Sequence, residues 1–309
     1  MRGMSHPLVF DRALARRRLA RAAGLGPADF LLDRAATDLA DRVATVKRRF
    51  ERALDLGTPT DAVAQALADP ATWLGMAPEQ SGIGTLHRAA PQADRALVAS
   101  RDVVADEEAL PFADGSLDLV VSALALQNVN DLPGSFAQIR RALRPDGLFL
   151  AAMIGGTSLS ELREAFAVAE SETTGGVSPR VAPFVDVRDL GGLLQRAGFA
   201  LPVTDVDRVT VRYATPFALF TDLRRMGAAN ALAERRRVPL RRATLLRAAE
   251  VYAERFSDPD GRVRATFEIV WLSGWAPHES QQKPLKPGSA KMRLAEALGT
   301  QEAKAGDAS

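Results

Sequence analysis

Residues 105–126 read ADEEALPFADGSLDLVVSALAL. The stretch opens on three consecutive acids, Asp106, Glu107 and Glu108. It passes through Leu110-Pro111-Phe112 and a polar turn at Asp114-Gly115-Ser116, then ends in an apolar run. A short unbroken run of Leu and Val bounded by turn residues reads as a strand buried on both faces, the habit of parallel sheets. The predicted strand is Asp118 to Ser122. The acids follow a shorter predicted strand, Arg101 to Ala105, and so stand at the carboxyl edge of the sheet, where open α/β folds hold their ligands.

Outward from this block the pattern repeats. Ala53-Leu54-Asp55-Leu56-Gly57 reads as a first strand meeting a glycine turn, Asp61 to Ala68 as a short helix, and Ile83 to His87 as a weak second strand. Leu132 to Leu143 is helical, stopped by Arg144-Pro145-Asp146-Gly147, and Leu148 to Ile154 is the fifth strand. Past Gly155-Gly156, Ser158 and Glu161 have the capping-box spacing and open a helix to about Ser171. Val187 to Ala197 is a helix ending at Gly198 in the C-cap position. Asp205 to Tyr213 alternates as a strand, two helices follow at about 216–228 and 240–256, and Ala265 to Trp275 is the last strand. Strands alternating with helices at this spacing imply βαβ crossovers and an α/β, Rossmann-like sheet of seven strands, mostly parallel.

The chain begins with LVFDRALARRRLARAA at residues 8–23, a basic amphipathic helix with Leu14, Leu19 and Ala22 on one side. Arg12, Arg16, Arg17 and Arg18 are expected on a solvated face. A second helix is expected over about 28–50, its last residues Lys47, Arg48 and Arg49 suiting the negative end of the helix dipole. The organisation predicted is an N-terminal helical extension (1–50), a main domain (51–280) with a helical insertion at about 214–257, and a flexible tail (281–309).

The 309 residues carry 40 Lys plus Arg against 38 Asp plus Glu, a net charge of +2, too small to argue for nucleic acid. Only five of the basic residues are lysines, four of them beyond residue 282, so body and tail differ in composition. The absence of cysteine excludes a disulfide framework, an iron–sulfur cluster and a thiolate zinc site, and suits a reducing cytoplasm. His6, His87 and His278 are scattered, so no two-His-one-carboxylate iron site and no other metal site is expected. No apolar run approaches the roughly 20 residues of an integral membrane segment.

Two loops attract attention on chemical grounds. In Asp55-Leu56-Gly57-Thr58-Pro59-Thr60-Asp61 an acid and a glycine turn join a strand to a helix, the arrangement that lets backbone approach a nucleotide-like cofactor. Asp55 reads either as a cofactor-side acid or as a cap of the turn. Asp106 can accept the exocyclic amine of adenine, or can cap the turn through Glu107 and Glu108.

The whole 105–126 block resembles the class I S-adenosylmethionine (SAM)-dependent methyltransferases, which carry an acidic–Leu-Pro-Phe segment before an Asp-Leu-Val strand. A narrower resemblance runs through FDRALARRR, NVNDLPGSFAQI, LRPDGLFLAAMIGG, AESETTGGVSPRVAPF, DLGGLLQRAGF and GWAPHESQQKPLKPGSA. These segments together are similar to the complex I assembly factor 5 family. The resemblance implies a class I methyltransferase fold with an antiparallel last strand and S-adenosyl-L-methionine as cofactor. It also implies hydroxylation of an arginine on a subunit of NADH–quinone oxidoreductase, with the protein cytoplasmic and held at the inner membrane through that partner. Asp55, Gly57, Thr58, Asp106, Glu107, Leu124 and Gln127 are the cofactor-binding positions it implies; it names no catalytic residue here. Biotin-pathway carrier-protein O-methyltransferases share the central block.

Two departures stand out. The family's first loop carries three glycines, whereas here Pro59 and Asp61 stand at the second and third positions, and Pro59 has no N–H to offer. The acid that would hold the ribose hydroxyls is missing from Ile83-Gly84-Thr85-Leu86-His87-Arg88. The expectation is weakened SAM binding, with a non-catalytic assembly factor and a carrier-protein methyltransferase as the other readings. Arg224, Arg225, Arg235, Arg236, Arg237, Arg241 and Arg242 of the insertion read as a solvated face or as a docking surface for an acidic partner.

Overall fold

A computed structural model describes residues 8–91 and 102–282. Arg101, His6 and the tail from Lys283 onward lie outside the described residues. The chain enters as α1 (Arg12–Gly24) and α2 (Phe30–Thr45), then alternates β1 (Phe50–Leu56), α3 (Ala62–Ala68), β2 (Ile83–Ala90), β3 (Val103–Val104) and β4 (Leu117–Ala123). It continues through α4 (Leu132–Ala142), β5 (Leu143–Gly155), α5 (Ser160–Thr174), α6 (Val187–Arg196) and β6 (Ala200–Tyr213). The last elements are α7 (Pro216–Arg225), α8 (Arg242–Phe256) and β7 (Val263–Trp275).

The strands join in one sheet, β3-β2-β1-β4-β5-β7-β6. The first five strands are mutually parallel, and β7 slots antiparallel between β5 and β6. All seven residues of β4 are buried, as its apolar run requires of a central strand covered on both faces. Successive residues of β5 face opposite layers. Leu148 and Leu150 pack with Leu39 and Val43 of α2, while Phe149 and Met153 pack with Phe136 of α4 and Leu190 of α6. The two inserted helices, α7 and α8, build a third cluster with α5 and the start of β7, where buried Tyr252 donates to Arg264 O at 2.7 Å. The chain divides into two units that part after Pro277. Among the described residues, no helix is long and apolar enough to cross a membrane.

Two local expectations are corrected. The second helix does not reach residue 50 but ends at Thr45, because Lys47 turns the chain at φ 52° and Phe50 is drawn wholly into the core as the first residue of β1. Arg48 then serves no helix end. It donates to Asp146 O at 2.8 Å and lies over the Phe50 ring. The Ser158–Glu161 spacing is not a capping box either. α5 starts at Ser160, after Leu159 at φ 55°. Ser158 Oγ donates to Gly155 O at 2.7 Å and accepts from Glu268 N at 2.8 Å, while Glu161 accepts from Thr266 Oγ1. The edge of β7 claims both side chains that the pattern assigns to the cap.

Candidate cofactor and substrate site

A cavity of about 750 Å³ opens at the carboxyl ends of the strands, where β1 and β4 lie side by side and the chain winds away in both directions. Its volume falls in the ordinary range of ligand sites, and its place is the one at which open α/β sheets bind ligands. Gly57, Thr58 and Pro59 after β1, Arg88 and Ala90 of β2, Leu124 and Gln127 after β4, and Ile154 of β5 form the floor. Leu19 of α1, Leu31 of α2, Leu223 of α7 and the loop around Arg180 and Phe184 form the walls. The N-terminal extension therefore lines the site rather than merely flanking it.

Gly57 sits at φ 76°, a backbone state that glycine reaches without strain. A Cβ there would stand 2.9 Å from Glu107 Oε1 and 3.0 Å from Ala125 Cβ, so space and conformation both call for glycine. Leu124 and Leu159 line the same cavity at φ 47° and 55°, in the left-handed region that a leucine occupies only when its surroundings hold it there.

Of the residues singled out in the sequence, Gly57, Thr58, Leu124 and Gln127 meet in this cavity. Asp55 lies beneath it, wholly buried. Thr58 Oγ1 donates to Asp55 Oδ1 and accepts from Ala123 N at 3.1 Å, fastening the first loop to β4. Arg88 Nε stands 3.5 Å from Asp55 Oδ2, and its guanidinium also donates to Thr60 O. The second strand runs on to Ala90, past its predicted end at His87, and Arg88 within it is bound to the acid of the neighbouring strand.

Burial pushes the Asp55 carboxyl up to about 6, against the opposing pull of Thr58 and Arg88. The folded chain therefore binds a proton here that the unfolded chain releases near pH 4. Raising the pH from about 3 to 7 should weaken the fold by roughly 3 kcal/mol through this residue alone. Urea melts of the wild type and Asp55→Asn should diverge accordingly, the wild type losing ground as the pH rises. Melts that keep a constant separation would mean that Asp55 titrates normally.

Asp106 and Glu107 lie beside the cavity, and their carboxylates are taken. Arg12 of α1 pairs with Asp106 and Glu107 and reaches Glu108 Oε2 at 2.9 Å, and Arg16 one turn later takes the other oxygen of Asp106. Burial works against the Asp106 charge, but the Glu108 N–H, Arg16 and Arg12 together hold its carboxyl below the usual range. Burial raises the Glu107 carboxyl despite Arg12. This corrects the reading of α1 as an outward basic face: the Arg12 side chain is only 14% exposed. The spacing of Arg12 and Arg16, four residues apart on one side of a helix, was the available signal. The segment before α1 is strapped down as well. Asn130 Oδ1 accepts from Phe10 N at 2.8 Å, Asn130 Nδ2 donates to Phe10 O at 3.1 Å, and Phe10 bridges to Leu232 of the insertion.

Comparison with known proteins places this geometry in context. Residues 54–151 match the model of a methyltransferase domain. Over 291 residues the chain is 39% identical to an arginine-hydroxylase NDUFAF5, mitochondrial, of Danio rerio, a match spanning 93% of this chain and 89% of the relative. It is 35% identical over 299 residues to a malonyl-[acyl-carrier protein] O-methyltransferase of Laribacter hongkongensis, spanning 92% of this chain and 96% of that one. A crystal structure from Bacillus halodurans described as a methyltransferase superposes with a TM-score of 0.50 at 16% identity, covering 78% of this chain and 99% of the other. That likeness concerns the fold.

Proposed function

We propose that this chain, which belongs to the class I methyltransferase superfamily and within it to the family of the NDUFAF5 arginine-hydroxylases, binds SAM and modifies an arginine on a subunit of NADH–quinone oxidoreductase during its assembly. The observation that carries this reading is the similarity over 93% of the chain, well beyond the methyltransferase domain at 54–151. It takes in the insertion, whose α7 helps to close the cavity. In this reading the cytoplasmic protein reaches the inner membrane through its partner.

The residues fit the cofactor in part. The cavity lies at the switch point of the sheet and Gly57 lets the first loop pass close to a ligand, with Asp55 fixing that loop from below. Gly57, Thr58 and Leu124 are then cofactor walls, and Asp106 with Glu107 the adenine-side acids, now covered by Arg12 and Arg16. SAM, when bound, supplies the reactive sulfonium; the residues of this chain bind and orient. Pro59 withholds a donor and Asp61 adds bulk and charge, so binding is weak. The exposed Arg224, Arg236 and Arg237 offer opposite charge to an acidic partner, whereas Arg235 is held by Asp11 at 3.2 Å.

Deleting the gene should arrest assembly of NADH–quinone oxidoreductase on native gels, and calorimetry should show weak SAM binding that tightens about tenfold in a Pro59→Gly/Asp61→Gly variant. Arrested assembly without any heat from SAM would mark a non-catalytic assembly factor. Normal assembly with a biotin requirement would overturn the proposal in favour of the carrier-protein methyltransferase, the reading that the 35% identity supports.

A further inference from the structure

We propose that Asn128 seats the arginine to be modified, its side-chain oxygen accepting from the guanidinium inside a cavity whose unmatched charge is negative. The proposal rests on the arginine-directed reading above and names the residue that selects that side chain.

Asn128 ends the single turn Leu126–Asn128 that follows β4, and it lines the cavity at the carboxyl end of the central strand. It is partly buried, and its side chain makes no hydrogen bond among the described residues. Neither end of its amide is sealed off from the cavity. The other amides of the wall are in use. Gln127 Nε2 donates to Leu124 O at 2.6 Å, and the Gln127 oxygen is enclosed. Asn230 Nδ2 donates to Pro179 O at 2.7 Å, while its oxygen accepts from Leu232 N at 3.0 Å. The threonine hydroxyls are occupied as well: Thr58 by Asp55 and Ala123 N, and Thr60 by Ala62 N at 3.2 Å. Asn128 is thus the neutral polar group that the wall leaves to a ligand.

An amide can donate or accept, so the charges around it decide which it does. Three arginines line the cavity, and each already faces a carboxylate: Arg88 that of Asp55, Arg180 that of Glu170 and Arg225 that of Asp222. Asp102 is engaged too. Asp29 and Asp61 remain. Asp29 stands at the head of α2 without capping it, and the Asp61 carboxylate accepts from the neutral Gln65 amide at 2.8 Å. Burial and the charges of Asp33 and Asp61 hold the Asp29 carboxyl above the usual range, against the pull of Arg225. A cation brought into the cavity relieves these two carboxylates, and a further anion burdens them. A malonyl carboxylate is therefore turned away, although the Asn128 NH2 could bind it. A guanidinium is drawn in and meets the oxygen.

Calorimetry with alanine pentapeptides carrying arginine, citrulline or norleucine at the centre, with and without SAM, tests this. The wild type should bind the arginine peptide most tightly, since citrulline keeps N–H groups but loses the charge, and norleucine loses both. Asn128→Leu removes the amide at nearly constant volume. It should weaken the arginine peptide about tenfold and leave the norleucine peptide unchanged, whereas a merely structural residue would shift both alike. Asn128→Asp keeps an acceptor and should hold the arginine peptide at least as well as the wild type; it decides the matter if the leucine variant does not fold. Asp29→Asn should narrow the gap between arginine and citrulline several-fold. Asp33→Asn, the same change at an exposed site of α2 outside the cavity, should leave that gap nearly unaltered. Equal affinity of wild type and Asn128→Leu for the arginine peptide, no binding of it by the wild type, or a wild-type preference for citrulline or monomethyl glutarate would overturn the proposal. So would a loss in Asn128→Leu that falls on SAM instead. Failure of the functional reading shows separately, as normal assembly of the respiratory complex in the deletion strain.

Discussion

Alanine in place of Arg12 is expected to cost about 3–5 kcal/mol of stability, the scale on which breaking one side of a buried ion pair acts. Arg12 serves three consecutive carboxylates and is 14% exposed, and the Glu107 side chain is 7% exposed. Without the guanidinium, Glu107 keeps its burial and loses its counter-charge. Lysine should not rescue, because a point charge cannot reproduce the planar fork that spans Asp106 and Glu107. Arg16→Ala should cost about 1 kcal/mol, since Arg16 and Asp106 are both partly exposed. Urea denaturation of the three variants measures this. A loss below 1 kcal/mol for Arg12→Ala would show that α1 rests on the cavity without securing it.

Gly156→Ala is the second substitution expected to have a large effect, about 3–5 kcal/mol, through backbone strain and a broken, partly buried hydrogen-bond network. The residue has φ 57°, and a Cβ there would overlap Glu268 Oε2. Glu268 cannot simply yield. Thr157 donates to it from N at 2.8 Å and from Oγ1 at 2.7 Å, and Arg208 Nη2 donates at 2.6 Å. Although burial opposes its charge, the Thr157 and Arg208 bonds hold the Glu268 carboxyl below the usual range. Gly175→Ala makes a suitable control, because φ is again positive, 69°, but nothing stands within 4 Å. It isolates the conformational part, expected at about 1–2 kcal/mol. Equal losses at the two glycines would remove Glu268 from the explanation.

The elements that follow from periodicity were legible in advance. A buried run such as Asp118–Ser122 can be little other than a central strand, and the alternation of Asp205 to Tyr213 suits the edge strand it became. What resisted reading depends on partners far away in the chain. Arg12 looks solvated until Asp106 and Glu107 are known to face it, because an arginine turned inward and one turned outward leave the same local pattern. The Asp55–Arg88 pair follows from the register of β1 against β2, in which Asp55 stands opposite Arg88; no spacing within either segment announces it. Ser158 and Glu161 satisfy a capping rule on paper and answer to β7 in the fold. Gln127 was legible as a position after the fourth strand, but its bond to Leu124 O was not, since only the left-handed turn at Leu124 brings that carbonyl to the amide.

The strand order also bears on how the protein is made. β6 has β7 as its neighbour in the sheet, and β7 follows it only after the two inserted helices. A nascent chain therefore carries a complete 14-residue strand with nothing to pair with until the ribosome has added residues 263–275. Unpaired strand edges are the usual templates for association between chains. Premature termination anywhere in the insertion would thus do more than remove the C-terminus. It would release a polypeptide whose parallel half is finished and whose edge remains open to other copies of itself.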